Sequence, residues 1–323
     1  MDRRTFVAGL GGAAAGLVLG RRPAPAADPV RLGYQVNIWG SLSVVALKSG
    51  AFEKLGLTVE GIQAPVGRQT RDAMVAGRID FGTFAVPTFL LGAEKGDLVA
   101  VALAGHAGKT VHVLVRPDSP IRSVADLRGK KIATGIGSST DAVFQSRVAP
   151  KFGLTAGSYE AVNTLEPDKV AALVAKQVEA SVSTEPFISV AEEQGLARSL
   201  LSFETYDPIP VVLAAGPGVP DRRRDATVQF LRAWIATARL FQETPPRAAD
   251  IMTEVLNERG YKVTPAVVRK ALGRFDVKVE MGPDFRAYAV AEAEGLLKAG
   301  RIKAMPDWDR ALRRDLLEQA MKG

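Results

Sequence analysis

The chain has 323 residues, 47% of them apolar and 24% charged, enough for one sizeable core or two ordinary lobes and too apolar for a disordered chain or a collagen-like fibre. It contains no cysteine, which excludes disulfides, thiolate nucleophiles, Cys-ligated zinc and iron–sulfur clusters; its two histidines, His106 and His112, leave little for metal or triad chemistry. The formal net charge of +7 falls to +4 past residue 27, where 38 basic groups face 34 acidic ones, a mild excess that argues against a nucleic-acid partner.

The N-terminus reads Asp2-Arg3-Arg4-Thr5-Phe6-Val7, then a Gly/Ala-rich apolar run to Gly20, then Arg21-Arg22-Pro23-Ala24-Pro25-Ala26-Ala27. Paired arginines before a weakly apolar run, with small residues at its end, are the pattern of a twin-arginine export signal cleaved near Ala26 or Ala27. The run is shorter than the ~18 to 20 apolar residues that span a bilayer. Residues 1–27 are therefore expected to be a signal peptide, and the remainder to be exported to the periplasm.

From Pro29 short β-branched runs alternate with amphipathic stretches. Strands are expected at Val30 to Tyr34, Leu57 to Ile62, Ile79 to Gly82, Leu98 to Ala104 and Val111 to Val115. Helices are expected at Ser41 to Ser49, Gln69 to Ala76 and Pro87 to Lys95, the first two stopped by Gly50 and Gly77. A second set follows: a short helix at Ser123 to Leu127, strand Lys131 to Thr134, helix Thr140 to Lys151, strand Tyr159 to Asn163, helix Asp168 to Ala175 and strand Ala180 to Val182. Ile209 to Ala214 reads as a strand, and from Asp221 onwards nearly everything reads as helix. Phe230, Leu231, Trp234, Ile235, Ala238 and Phe241 share one helical face, which makes Trp234 a core residue. Thr264-Pro265 starts another helix as cap and first-turn proline. Arg222-Arg223-Arg224 reads as a solvated charge run at a helix start.

This alternation predicts an α/β protein with mainly parallel sheets, because parallel strands need crossovers and helices are the usual ones. One strand leaving the first unit and one returning to it imply two lobes joined twice. The expected division is 28–113 with 212–323 as a discontinuous first lobe, and 114–211 as the second. A cleft outside the carboxyl ends of the strands is then the default ligand site.

Specific residues carry a family signal. Gly33-Tyr34-Gln35, the run Ala76-Gly77-Arg78-Ile79-Asp80-Phe81-Gly82, the segment from Asp118 to Ala133 and Gly137-Ser138-Ser139 together resemble the aliphatic-sulfonate, taurine and nitrate substrate-binding proteins of ABC importers. The resemblance runs in consistent order from about Val30 to Glu192. It implies a type II periplasmic-binding fold that closes by a hinge on a small anionic or zwitterionic ligand. It also implies a monomer without cofactor that is not an enzyme, partnered by an ABC permease and ATPase. Thiamine-pyrimidine precursors and aromatic carboxylates are carried on the same fold. A catalytic relative of the pyrimidine synthases is disfavoured, since their cysteine-rich segment has no counterpart. A regulator's sensing domain is disfavoured too, since an export signal stands where a helix-turn-helix would.

Against that background, Gly135 to Asp141 lies between a strand and a helix. Gly137, Ser138, Ser139 and Thr140 would place backbone amides and the positive end of a helix against an anion, a role compatible with capping by Ser138, Ser139 or Thr140. Gln35, Trp39, Gly40 and Ser41 join the first strand to its helix. There Trp39 would cover one side of a ligand or pack on its own lobe, and Ser41 opens another helix. Phe84 and Ala85 would offer amides from a loop after the third strand, and His106 a donor from the loop after the fourth. Arg68, before a helix, would clamp an anionic head or stand on the surface. Thr184 and Glu185 fall where the family often has an aromatic and an acidic residue. Glu185 would hold an amine, or pair with an arginine or lysine of the protein.

Overall fold

A computed structural model describes residues 29–322; the expected export signal and cleavage site lie outside the described residues. In chain order the strands are β1 (Val30–Tyr34), β2 (Val59–Gln63), β3 (Phe81–Ala85), β4 (Val99–His106), β5 (Val111–Val115), β6 (Lys131–Thr134), β7 (Glu160–Asn163), β8 (Ala180–Thr184), β9 (Arg198–Ser202) and β10 (Pro210–Ala215). The helices that flank them are α1 (Ser41–Lys48), α2 (Gly67–Val75), α3 (Val86–Ala93), α4 (Ser139–Val143), α5 (Glu166–Val174) and α6 (Phe187–Glu193). The helical remainder comprises α7 (Val219–Arg222), α8 (Arg224–Glu243), α9 (Pro245–Glu258), α10 (Pro265–Gly273), α11 (Pro283–Lys298), α12 (Trp308–Ala311) and α13 (Arg314–Met321).

The strands form two five-stranded sheets, ordered β2-β1-β3-β10-β4 and β7-β6-β8-β5-β9. In each, four strands run in one direction, and a strand delivered from the other half inserts antiparallel between two of them. β10 pairs with β3 and β4, and β5 pairs with β8 and β9. The chain thus crosses between sheets at residues 107–110 and 203–209. Two expected lobe ends shift accordingly: residues 111–113 pair in the second sheet, and residues 210–211 pair in the first.

The first sheet has a polar anchor. Asp80 accepts from the backbone amide of Arg31 at 2.8 Å and from its guanidinium at 2.8 and 3.1 Å, which fastens the start of β3 to β1. Burial raises the Asp80 pKa, but Arg31 outweighs it and holds the carboxyl below its ordinary value. Arg223 stands 3.7 Å from the same carboxylate and Arg224 reaches Asp315, while Arg222 donates to the Pro217 carbonyl. Arg222 and Arg224 are exposed, as a solvated run would be, while the half-buried Arg223 ties the start of α8 to the first sheet.

Trp234 is fully buried, as its helical face requires, and donates from Nε1 to the Leu103 carbonyl at 2.9 Å. Thr264 caps α10 by accepting from the Val267 amide. The helix expected from Thr140 to Lys151 is not uniform: α4 widens into a π turn at Phe144–Val148 and tightens into a 3-10 turn at Ala149–Phe152. Pro150 explains this, because it has no amide to give the carbonyl four residues back and its ring collides with that carbonyl in a regular helix. β9 and α6 were not foreseen.

Candidate functional site

The carboxyl ends of the parallel strands carry the loops from which a ligand site is built. After β1 the chain makes a short turn through Ile38–Gly40 into α1, with Asn37 accepting from the Gly40 amide at 2.9 Å. A side chain at position 40 would place its Cβ 2.1 Å from the Gln35 carbonyl, so only glycine permits this turn. Gln35 is buried and donates from Nε2 to Thr70 Oγ1 at 2.7 Å, bracing the turn against α2. Trp39 is half-buried and donates from Nε1 to Thr110 Oγ1 at 2.7 Å; Thr110 in turn donates to the Ala107 carbonyl at 2.7 Å. The indole is therefore fixed to the 107–110 crossing. Ser41, the first residue of α1, is fully buried and its Oγ has no hydrogen-bond partner, the unmet group that a bound ligand would satisfy.

In the second unit the loop from Gly135 to Thr140 follows β6. Ser138 caps α4 by accepting from the Asp141 amide at 3.2 Å, and its hydroxyl also meets Thr140 Oγ1 at 3.0 Å. Gly137, at φ +78°, turns its amide inwards to Asp141 Oδ2 at 2.9 Å. Thr134 and Gln145 donate to the same buried carboxylate, and the Ile136 amide is taken by Asn163. Of the amides expected to face an anion, that of Gly137 is thus committed to Asp141 and that of Ser138 to the Gly135 carbonyl at 2.9 Å. Ser139 and Thr140 remain, as first-turn residues whose amides have no partner within the helix.

Several expected contacts take other places. Phe84 and Ala85 are not in a loop: β3 runs on to Ala85, because β10 offers it a ladder in which Phe84 pairs with Val212 and Ala85 with Val211. His106 ends β4, with its amide donating to the Asp276 carbonyl at 2.8 Å and its carbonyl accepting from the Asp276 amide at 3.1 Å. Its Nδ1 stands 3.8 Å from the Asp276 carboxylate, and burial holds the imidazole pKa below its ordinary value. Arg68 is exposed on α2 and lines an outer groove with Arg71, Lys95 and Arg301. Thr184 ends β8 and donates its amide to Glu166 at 3.2 Å.

Glu185 takes the protein-paired role. Its side chain is 0% exposed and accepts from Arg274 at 2.5 Å, and from the Ser189 amide and hydroxyl at 3.0 and 2.8 Å. Arg274 belongs to the segment that pairs with the edge of β4, and it also reaches Glu192 at 2.9 Å, where Lys270 joins at 2.7 Å. Burial raises the Glu192 pKa, but these two cations together hold it below its ordinary value. A second cluster joins the units: Arg147 pairs with Asp207 at 3.1 Å and with Glu292, lies 5.2 Å over the Tyr288 ring, and Tyr288 donates to Asp207 at 2.9 Å.

Asp141 was not singled out from the sequence, although Ser138-x-x-Asp141 has the spacing of a capping box. Lys169, 1% exposed, donates to Glu166 and to the Val182 carbonyl, and its i, i+3 spacing from Glu166 was also legible. Arg274 and Arg147 had no local signal, since their partners lie far away in the chain, Glu185 89 residues from Arg274 and Glu292 145 residues from Arg147.

Residues 41–248 match the family model described as NMT1/THI5 like. A Brucella abortus protein named as a binding protein is 30% identical over 198 residues, 60% of this chain and 58% of that one. An Escherichia coli protein named for binding aliphatic sulfonates is 32% identical over 177 residues, 54% of each chain. The chain therefore spans rather more than half the length of these relatives. Among solved structures, the periplasmic aliphatic sulphonate binding protein SsuA of Escherichia coli superposes with a TM-score of 0.76 at 20% identity, over 89% of this chain and 92% of that one. The desulfurization enzyme DszB superposes with a TM-score of 0.69 at 15% identity, over 92% and 99%. At such identities the likeness is one of fold.

Proposed function

Because the chain belongs to the NMT1/THI5-like family and has the type II periplasmic-binding fold, we propose that it is the exported solute receptor of an ABC importer. It holds a small organic ligand between two lobes, closes on it and passes it to a membrane permease and ATPase. In this reading the lobes are the two sheets with their helices, the crossings at 107–110 and 203–209 are the hinge, and the receptor acts as a monomer without catalysis. A ligand favours the closed state only by touching both lobes.

The observation that carries the proposal is Ser41 Oγ, buried and unsatisfied at the start of α1, where the helix offers unpaired amides and the positive end of its dipole to an anionic head. Across the cleft, Ser139 and Thr140 supply the remaining donors. Asp141, buried under that loop, already accepts from Thr134, Gly137 and Gln145, which holds the loop in shape and leaves its free donors to the ligand. Sulfonate, carboxylate and nitrate heads are the anions that fit the α1 end. Arg68 and Glu185 are not in this site.

A thermal-shift screen of the dialysed protein against alkanesulfonates, taurine, nitrate, carboxylates and thiamine precursors tests the reading. Ligand at ~100 times its Kd adds about 2.7 kcal/mol, a rise of several degrees in Tm. Ser41→Ala is expected to weaken that ligand about tenfold, the loss of one hydrogen bond to a charged group. No shift from any class, with nothing released when the protein is denatured, would overturn the receptor assignment.

Export to the periplasm through the twin-arginine route, with cleavage near Ala26 or Ala27, completes the proposal. Arg3→Lys with Arg4→Lys is expected to retain the precursor in the cytoplasm, folded, as read by cell fractionation. Normal export of that pair would sink the route.

A further inference from the structure

We propose that the first lobe carries a second ligand site, away from the cleft, for a small amphipathic anion: one carboxylate, phosphate or sulfonate head on an apolar chain. The site is a groove of about 390 Å³ where the end of α1, the middle of α8, the start of α9 and the end of α13 meet. Ser49, which lines it, closes α1 at the end opposite Ser41, so the two sites stand about 12 Å apart along one helix, by its rise per residue.

Four cations line the groove, Lys54, Arg232, Arg239 and Arg247, and among the described residues no acidic side chain does. None of the four forms a salt bridge or a side-chain hydrogen bond among the described residues. Two polar atoms of the wall, Ser49 Oγ and Arg232 Nε, are buried without a partner, and buried polar groups are nearly always satisfied. Arg232, Ala236 and Arg239 recur along α8 at helical spacing beside Ile235 and Leu240, so one helix face offers charge and grease in alternate rows. Leu55 and Met321, 38% and 45% exposed, complete the apolar floor.

Cations near helix ends are ordinary, and both α1 and α13 end here. Each end carries about half a negative charge, so four full positive charges leave a surplus of about three. A polar anion alone would leave the apolar floor wet, and an apolar molecule alone would leave the cations unmet. The concave shape suits a single chain lying in the groove, with its head among the arginines, better than it suits a flat bilayer.

Isothermal titration of the folded protein with decanoate tests the site, with decanol and acetate as its separate halves. One decanoate is expected per chain, with each half at least about tenfold weaker. The Arg239→Glu, Arg247→Glu double variant, both residues being exposed, is expected to lose decanoate by at least about tenfold while keeping its melting temperature. Ser41→Ala is expected to leave decanoate binding unchanged. Should the double variant fail to fold, Lys54→Glu with Leu55→Ser challenges the opposite wall in the same way. Undiminished binding in a folded groove variant, loss of binding in Ser41→Ala, or capture by phosphatidylglycerol vesicles without binding of monomeric decanoate would each overturn the proposal, the last by making the groove a membrane-facing patch.

Discussion

Replacing Arg274 by methionine is expected to destabilise the protein by about 2–4 kcal/mol, read as a lower midpoint of urea unfolding at unchanged slope. The reason is asymmetric burial. Glu185 is 0% exposed and loses its one cationic partner, whereas Glu192 is 18% exposed and keeps Lys270. Removing one member of a buried pair leaves the other charge without compensation, which costs more than the pair contributes. Arg274 is itself 21% exposed, so water offsets part of the loss, and the expected figure lies below the 3–5 kcal/mol of a sealed pair. Glu185→Gln should then lower stability and leave ligand affinity unchanged, since the carboxylate faces the protein. A double-mutant cycle isolates the coupling. A loss below about 0.5 kcal/mol for Arg274→Met would mean that Glu185 finds water when its partner is gone.

The second large effect is acid lability centred on His112. This imidazole is buried, with Nε2 3.1 Å from the Lys109 carbonyl and Nδ1 2.8 Å from Ser199 Oγ, the pattern of a neutral ring that donates on one side and accepts on the other. Burial first, and then the charge of Arg274, push its pKa down to about 4. The unfolded chain titrates near 6.5, so between the two values the unfolded state binds a proton that the folded state refuses. The contribution is complete above pH 6.5 and is lost as pH falls towards 4, about 3 kcal/mol in all at 1.36 kcal/mol per unit. His112→Gln should flatten the slope of stability against pH in this window. A shallower slope of the same sign persists from His106, whose pKa is also lowered by burial. The carboxyls of Asp80, Glu192 and Asp315, held below their ordinary values, lose their contributions only as pH falls further, so the two regimes separate. Equal slopes in the parent and His112→Gln would refute the assignment.

Both effects centre on side chains, Arg274 and His112, that carry no structural mark in the sequence. The alternation of β-branched runs and amphipathic stretches was legible because periodicity and glycine stops are local, and it located most strands and helices to within a few residues. What escaped is what depends on a distant partner. β3 was cut short at Gly82 because nothing near it announces β10. β9 was missed because Arg198–Ser202 is a half-exposed strand without a strong apolar run. Glu185 was readable either as a ligand contact or as an ion-pair member, and only the placement of Arg274 beside it decides. The loop at Gly137 was located from its glycines and hydroxyls, but the inward turn of its amide depends on a carboxylate that sequence alone leaves free to point outwards. Ser41 was found as a helix start; its orphaned hydroxyl needed the packing around it.

The insertion of β10 between β3 and β4 has a consequence for the order in which the molecule is made. The second sheet draws all its strands from residues 111–202, one uninterrupted stretch. The first sheet must wait for a central strand that follows that entire stretch, so its contacts are of higher order and slower to form. A chain halted before residue 210 would hold a finished second unit beside a first sheet split in two, with the facing edges of β3 and β4 unpaired and open to other chains. Aggregation of truncated chains, and protection of the second sheet ahead of the first during refolding, are thus written into the strand order itself.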